Sequence, residues 1–487
     1  MISPSKGLPF LVSLLLACPA MAELPFAEEQ RNWWAFQAVR DPAVPEGAKH
    51  PIDAFVDRQL DRAGLTRSEP ATPIELVRRI YFDLLGLPPT PEEVDEFVAA
   101  SAKAPVAAVD ALVDELLASP HYGERWAQHW LDVVRYAESD GYREDAFRPS
   151  AYRYRDYVVQ SFNEDKAFNQ FAREQLAADE FAPDDPARLV ATGFLRHGIY
   201  EWNQRNAEMQ RELIVNELTN ITGETFLGLG IGCAQCHDHK FDPILQRDYY
   251  ALQSFLATTA WPMDRKLGAP KELDAYRQAQ EDWEAATAVI RAELATITKA
   301  ARDRVAVAKV ESFPPEVQAM YAKADGEQTP YEVQISLLVQ RQVDRDLRNL
   351  DLEKELKKSP EKLARYQQLK AELASFDGMK PKPLPDAFIA TDCGIQPVST
   401  RIPGREDMGI VPPAFPTVLG MPEPQIEPTG RTTGRRLALA NWIAGEDNPL
   451  STRVIVNRIW QGHFGTGLVA TPNDFGTLGD PPSHPDL

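Results

Sequence analysis

The sequence FLGLGIGCAQCH, from Phe226 to His237, carries the most informative pattern of this chain. Its last five residues follow the C-x-x-C-H pattern, in which two thiols join covalently to the vinyl groups of haem and the adjacent imidazole ligates the iron. We therefore predict that Cys233 and Cys236 attach one haem c and that His237 is the proximal iron ligand. The glycines that precede Cys233 permit close backbone approach, which suits a flat macrocycle.

The residues after the motif, DHKFDP from Asp238 to Pro243, extend this prediction. We expect Lys240 to pair with a haem propionate. Asp238 or Asp242 is placed to orient the proximal imidazole through its second ring nitrogen, a common role for carboxylates near metal ligands. The alternative is a polar loop that is stabilised by turn chemistry at Asp242 and Pro243.

The pattern does not identify the ligand on the opposite face of the iron. Met263, downstream of the motif, is our distal candidate, and Met209 and His197 are upstream alternatives. Each of the three is also explained as an ordinary core or surface residue. A methionine or histidine ligand would indicate electron transfer, whereas an open position would indicate catalysis or small-molecule binding.

The same residues, and a charged segment elsewhere in the chain, also fit other kinds of site. Cys233, Cys236, His237 and His239 could together supply four ligands to zinc, and the two cysteines alone could form a redox dithiol. The acidic and basic residues between 138 and 156 are compatible with a calcium site or a polyhydroxylated substrate site, but also with a surface network of salt bridges.

The first residues of the chain resemble an export signal. Lys6 supplies a positive charge, an apolar run of about ten residues follows, and Ala20-Met21-Ala22 fits an A-x-A cleavage site. We predict a signal peptide over residues 1–22 and a periplasmic or cell-surface location, since c-type haem is attached outside the cytoplasm. A lipoprotein cysteine at Cys18 is the alternative. The run is too short for a transmembrane helix, and we expect none in the mature chain.

The charge of the chain limits its partners. The 487 residues carry a formal net charge of −20 at pH 7, which argues against a nucleic-acid partner. A basic periplasmic redox partner is compatible with this charge, as is an acidic surface that interacts only with solvent. The sequence gives no indication of the oligomeric state.

Helical patterns predict a mainly α protein. The segments TPIE, from Thr72 to Glu75, and TPEE, from Thr90 to Glu93, each have the form of a capping box with proline at the first helical position. Further along the chain, apolar residues recur at seven-residue spacing, which predicts two or three long helices in a hairpin or coiled-coil arm. Eleven prolines lie between 381 and 430, as in a linker or an extended segment on another domain.

These patterns divide the chain into five predicted segments. They are a signal peptide (1–22), a helical c-type haem domain (23–270), a long-helix arm (271–380), a Pro-rich linker (381–430) and the start of a further helical domain (431–487).

Several long stretches resemble the planctomycete cytochrome c-like proteins. These stretches include HYGERWAQHWLDVVRYAESDGY (121–142), CAQCHDHKFDP (233–243), RRLALANWI (435–443) and HFGTGLVATPNDFG (463–476). The resemblance implies an exported protein in which a cytochrome-like domain of unknown function precedes a second conserved domain of unknown function. That second domain normally continues past the point matching the end of this chain, so we expect it to be truncated here.

Three functions fit these features. The first is periplasmic electron transfer by a c-type haem protein. The second is a haem-dependent oxidoreductase acting on carbohydrates or other polyhydroxylated substrates, with His239, Asp238 and the acidic cluster near Asp140 lining its substrate site. The third is a non-catalytic surface or scaffold module in which the long helices serve assembly.

Overall fold

The computed structural model describes residues 25–47, 50–201, 204–262, 265–324 and 326–487. The predicted signal peptide, Cys18 and Met263 lie outside these residues. The structure is 57% helix and 2% strand, which confirms the mainly α prediction.

The described residues form eighteen α-helices, several short helical turns and one pair of two-residue strands. The helices are α1 (Glu28–Arg31), α2 (Pro51–Ala63), α3 (Pro73–Leu84), α4 (Pro91–Ser101), α5 (Pro105–Leu117), α6 (Pro120–Val133), α7 (Tyr152–Asn163), α8 (Phe168–Phe181), α9 (Pro186–Leu189), α10 (Ala207–Thr222), α11 (Gln246–Leu256), α12 (Pro270–Val310), α13 (Pro315–Tyr321), α14 (Pro330–Arg348), α15 (Leu352–Leu356), α16 (Pro360–Ala374), α17 (Arg435–Ile443) and α18 (Ser451–Phe464). The strands are β1 (Thr259–Ala260) and β2 (Thr391–Asp392), which pair antiparallel.

Many of these helices begin at a proline, which lacks the N–H that the first turn would leave without a partner. Both predicted capping boxes are present. The Thr72 hydroxyl accepts the N–H of Glu75 at 3.3 Å, and the Glu75 carboxylate accepts the N–H of Thr72 at 2.8 Å. Thr90 and Glu93 repeat the arrangement at the start of α4.

The described residues contain three clusters of buried apolar side chains. The main core extends from Ala35 to Phe475 and includes Trp130, Leu227 and Leu439. A second cluster lies between the chain around Tyr200 and helices α13 and α14, and a third joins α3, α4 and α5. The main core therefore draws on segments that are distant in sequence.

The segment from 271 to 380 contains long helices that pack against one another. Helix α12 has 41 residues and contacts both α14 and α16. Trp283 is among the few residues of α12 that are buried, whereas Val339 and Val343 of α14 belong to the second apolar cluster. The apolar face of α14 therefore belongs to the core.

The Pro-rich segment from 381 to 430 lies on the helical body as an extended segment. Ile389, Ala390 and Val411 are completely buried in the main core, and the segment supplies strand β2. The Pro-rich segment is therefore packed into the core at these positions and is not only an exposed spacer.

A buried ionic cluster joins this extended segment to α8 and α17. The guanidinium of Arg436 donates to both carboxylate oxygens of Asp179 at 2.7 Å and to Asp392 at 3.0 Å. Glu180 lies 3.4 Å from the same guanidinium and accepts the N–H of Leu437. All four charged side chains are almost inaccessible to solvent.

Among the residues that the structure describes, no helix combines the length and the apolar character that crossing a membrane requires.

Candidate functional site

Helix α10 leads to the C-x-x-C-H motif through a tight reversal of the chain. It continues into a single π-helical turn, Gly223–Leu227, and then reaches Gly228, whose φ of 59° lies in the left-handed region. A β-carbon at Gly228 would lie only 2.8 Å from Cγ2 of Val454, whereas Gly230 has nothing within 4 Å of the same position. Gly228 is therefore required both by the left-handed backbone of the turn and by the close approach of Val454, whereas Gly230 borders open space.

The motif begins on a 3-10 turn, Ile231–Gln235, and Cys236 is the residue that ends this turn. Residues three apart share one face of a 3-10 helix, because each turn takes three residues. Ile231 and Ala234 are accordingly buried in the main core, while Cys233 and Cys236 are exposed and form no disulfide. The same spacing that anchors the turn therefore leaves both thiols accessible on its outer side.

His237 follows directly and is exposed to solvent. Its Nδ1 lies 2.7 Å from the backbone carbonyl oxygen of Asp238. A carbonyl oxygen only accepts hydrogen bonds, so Nδ1 must carry a proton, and in the neutral ring Nε2 then keeps the lone pair. This tautomer can ligate a metal through Nε2, with the second ring nitrogen fixed by a hydrogen bond.

Helix α11 holds the end of the 3-10 turn in place. The side-chain amide of Gln246 and the hydroxyl of Tyr250, one helical turn apart, both donate to the carbonyl oxygen of Gln235, at 3.2 and 3.1 Å. The carboxylate of Asp238 accepts the backbone N–H of Gln246 at 2.8 Å. Burial raises the pKa of Tyr250 to about 12, and the nearby Cys236 adds to this effect, so the hydroxyl stays protonated as a donor.

The loop after His237 is held by its own hydrogen bonds and by the C-terminal segment. Nδ1 of His239 accepts the N–H of Asp242 at 2.8 Å. The Asp242 carboxylate accepts both the N–H and the hydroxyl of Thr477, at 2.5 and 2.8 Å. It is therefore the backbone carbonyl of Asp238, and neither of the two predicted carboxylates, that bonds to the His237 ring.

These contacts do not favour the zinc alternative. His239 is turned into its loop with a side chain only 8% exposed, whereas Cys233, Cys236 and His237 are exposed. Within the described parts of the chain, no three His, Cys, Asp or Glu side chains are grouped so that they could hold a metal ion. A covalently attached haem does not require such a group, because the protein supplies a single iron ligand at the motif.

The remaining predicted residues have different surroundings. Lys240 is exposed, and its ammonium lies 4.9 Å from the centre of the Phe241 ring, so its pairing with a propionate stays a prediction. The distal candidate Met263 lies outside the described residues. Met209 is 56% exposed, whereas His197 is buried against Tyr154, so the structure does not single out either one as the distal ligand.

The acidic and basic residues between 138 and 156 form salt bridges with the long helix α14. The Asp140 carboxylate pairs with Arg148 at 2.7 Å and with Arg341 at 2.5 Å, and Glu144 pairs with Arg345 at 2.6 Å. The calcium and substrate-site interpretations are therefore not supported, because arginines already engage these carboxylates. The interpretation of these residues as a network of salt bridges is therefore correct, but the network is not entirely on the surface, because Asp140 is buried.

No motif in the sequence pointed directly to Gln246 and Tyr250 as residues that support the haem-binding pattern. Their four-residue spacing on a helix that follows the loop was a usable signal, because such residues lie on one helical face. Thr477 carried no comparable signal, since its partner Asp242 is 235 residues away.

Comparison with protein families gives two matches along the chain. Residues 51–260 match the family named PSCyt2, described as a protein of unknown function (DUF1549). Residues 435–487 match PSD1, described as a protein of unknown function (DUF1553). The chain thus contains two domains of unknown function in this order, and the first includes the C-x-x-C-H motif. No curated protein and no solved structure matches the chain.

Proposed function

We propose that this protein carries one covalently attached haem c and transfers electrons outside the cytoplasm. Cys233 and Cys236 would hold the haem through thioether bonds, and His237 would ligate the iron through Nε2. The observation that carries this proposal is the arrangement of the motif: two exposed thiols, one on a 3-10 turn and one at the residue that ends it, precede an imidazole whose Nδ1 is bonded to the Asp238 carbonyl.

The residues present fit this group in their chemistry. Both thiols are accessible and outside any disulfide, as thioether formation requires. The His237 tautomer has its lone pair on Nε2. A bound haem c supplies one-electron redox chemistry at its iron.

The protein around the motif serves to fix these groups. Ile231 and Ala234 anchor the turn in the core, so the backbone that carries both cysteines keeps a constant position relative to the rest of the protein. Gln246 and Tyr250 restrain the backbone carbonyl of Gln235, which lies between the two cysteines. Such restraint keeps reorganisation small when the charge of a bound group changes.

Three features favour a carrier over the other functions. The motif is exposed, so a redox partner can approach it directly, and the net charge of −20 complements a basic partner surface. The residues expected to line an oxidoreductase substrate site are engaged elsewhere: Asp238 binds Gln246, His239 binds its own loop and Asp140 binds two arginines.

The test is the absorption spectrum of the full-length protein after export in a host that attaches haem c. Acid–acetone extraction removes haem that is not covalently bound. We expect the α-band of a haemochrome to stay with the wild-type protein and to be absent from the Cys233→Ala/Cys236→Ala variant. Cys393→Ser is the matched control, because Cys393 is a free thiol away from the motif that donates to the carbonyl of Thr258.

Loss of all haem from the wild-type protein on extraction would contradict the proposal and leave the scaffold function. If haem is retained, carbon monoxide separates the other two functions. A six-coordinate carrier does not bind carbon monoxide readily in its reduced form, whereas strong binding would favour the haem-dependent oxidoreductase.

A further inference from the structure

A cavity of about 840 Å³ lies between α6, the α7–α8 connection and α18. Its volume falls within the range of small-molecule sites, roughly 300–1,000 Å³. None of its lining residues belongs to the C-x-x-C-H motif, and both family matches contribute to its walls. The proposed haem function does not use this cavity.

One wall of the cavity is aromatic. The Trp126 ring, whose residue is 5% exposed, lies 4.6 Å from the ring of His463 and 6.1 Å from that of Tyr122, measured between centres. Phe162 and Phe168 also line the cavity. Such a wall suits a ligand with an apolar face, such as the C–H face of a pyranose ring.

Several lining side chains have a buried nitrogen without a hydrogen-bond partner among the described residues. They are Trp126 through Nε1, His129 through Nε2, and Arg125 and Arg458 through Nε. Buried polar atoms in folded proteins are nearly always paired, so each such atom calls for a partner. The tryptophan and arginine nitrogens are donors, and a small rotation of these side chains toward a ligand would let its oxygen atoms pair with them.

The charges around the cavity are of both signs. Arg125, Arg458 and Lys166 supply three cations, of which Lys166 already pairs with Glu174 at 2.7 Å, and Asp132 and Asp165 supply two carboxylates. A densely charged ligand of either sign would meet like charges here. A neutral ligand with many hydroxyl groups would not, because a hydroxyl both donates to carboxylates and accepts from cations.

His463 adds an oriented acceptor at the rim. Its Nδ1 lies 2.7 Å from Oδ2 of Asp83 in α3. A carboxylate accepts the Nδ1 proton in the neutral histidine, which leaves the lone pair on Nε2. His463 can therefore accept a hydrogen bond from a ligand hydroxyl while its ring lies beside Trp126.

We propose that this cavity binds a neutral saccharide, with a pyranose ring against the aromatic wall and its hydroxyl groups bonded to the polar side chains around it. The inference does not depend on the haem, because it rests on different residues. It assigns a carbohydrate-binding site to the junction between the two matched domains.

Isothermal titration calorimetry on the full-length wild-type protein tests this proposal. The probes are maltotriose, cellotriose, laminaritriose and xylotriose, with trigalacturonate as the charged comparison. We expect at least one neutral trisaccharide to bind with a Kd of roughly 1 mM or tighter. Asp132→Asn, which keeps an acceptor oxygen but loses its charge, and His463→Ala, which loses its acceptor, should each weaken that binding at least about fivefold, as expected for a change of roughly 1 kcal/mol in one hydrogen bond.

Each variant has a matched control. Asp110→Asn changes an exposed carboxylate of α5. His121→Ala changes a histidine of α6 whose Nδ1 also lies 2.7 Å from a carboxylate, that of Glu124. Both controls should bind as the wild type does. The proposal is overturned if no neutral trisaccharide binds, if trigalacturonate binds in preference, or if the cavity variants bind no more weakly than their controls.

Discussion

At the scale of single residues, Arg436 is the most demanding position in this fold. Its guanidinium is completely buried and faces Asp179, Glu180 and Asp392. Taking charges out of water is costly, and the cluster is tolerated because the charges are mutually paired. Removing the guanidinium would leave these carboxylates buried without the cation that pairs with all three.

We predict that Arg436→Met lowers the free energy of unfolding by about 3–5 kcal/mol, as measured by urea denaturation. Arg436→Lys should cause a smaller loss, because it keeps the charge but not the two parallel hydrogen bonds. Arg431→Met is the control, since Arg431 and Asp184 form an exposed pair at 3.2 Å that should contribute less than about 1 kcal/mol. Equal losses in the Arg436→Met and Arg431→Met variants would contradict this assignment.

Glu180 in the same cluster predicts how stability depends on pH. Burial raises the pKa of its carboxyl group from 4.5 to about 7, although Arg436 opposes this rise. At pH values between these two pKa values, the Glu180 carboxyl group keeps its proton in the folded protein but has released it in the unfolded chain. The contribution of Glu180 to the free energy of unfolding therefore falls as pH rises through this window and levels off above it.

Glu180→Gln should remove that decline, which urea denaturation at about pH 5 and about pH 7.5 measures. Glu164→Gln, an exposed position at the end of α7, should leave the decline unchanged. An unchanged pH dependence in Glu180→Gln would show that another group is responsible.

At the scale of elements, the connection from α10 to the 3-10 turn sets the position of the motif. We predict that Gly228→Ala destabilises the protein by about 1–3 kcal/mol, because it combines a left-handed φ with a close approach to Val454. Gly230→Ala should be almost neutral, since a β-carbon there meets nothing within 4 Å. Thermal unfolding of both variants measures the difference, and equal midpoints would contradict the role given to Gly228.

The elements also show what the sequence could predict. Both capping boxes and the start of α3 were predictable, because Thr72 and Glu75 interact within one helical turn. The partner of Asp140 was not, because Arg341 lies 201 residues away and only the folded chain brings them together. The cysteines were recognised from their spacing, but their exposure depended on how Ile231 and Ala234 pack in the core.

At the scale of the whole molecule, the two matched domains share one core. The Arg436 cluster joins α8 to α17, and Asp242 beside the motif bonds to Thr477. The indole N–H of Trp33, near the start of the described chain, donates to the carbonyl of Phe475 at 2.8 Å. The C-terminal segment therefore contributes to the stability of the region that carries the motif.

We predict that residues 51–260 and 435–487 unfold in a single cooperative transition, because separating them would expose shared core and buried charges. Urea transitions followed by circular dichroism and by tryptophan fluorescence should coincide. Two separate transitions, with the C-terminal segment unfolding first, would show that the contacts between the segments are weak.

The central claim is that Cys233 and Cys236 attach one haem c, and peptide mass spectrometry of the exported protein tests it most directly. We expect the proteolytic peptide containing both cysteines to carry the mass of one haem and the peptide containing Cys393 to carry none. An unmodified peptide from the motif, recovered from a host shown to attach haem to a known c-type cytochrome, would contradict it.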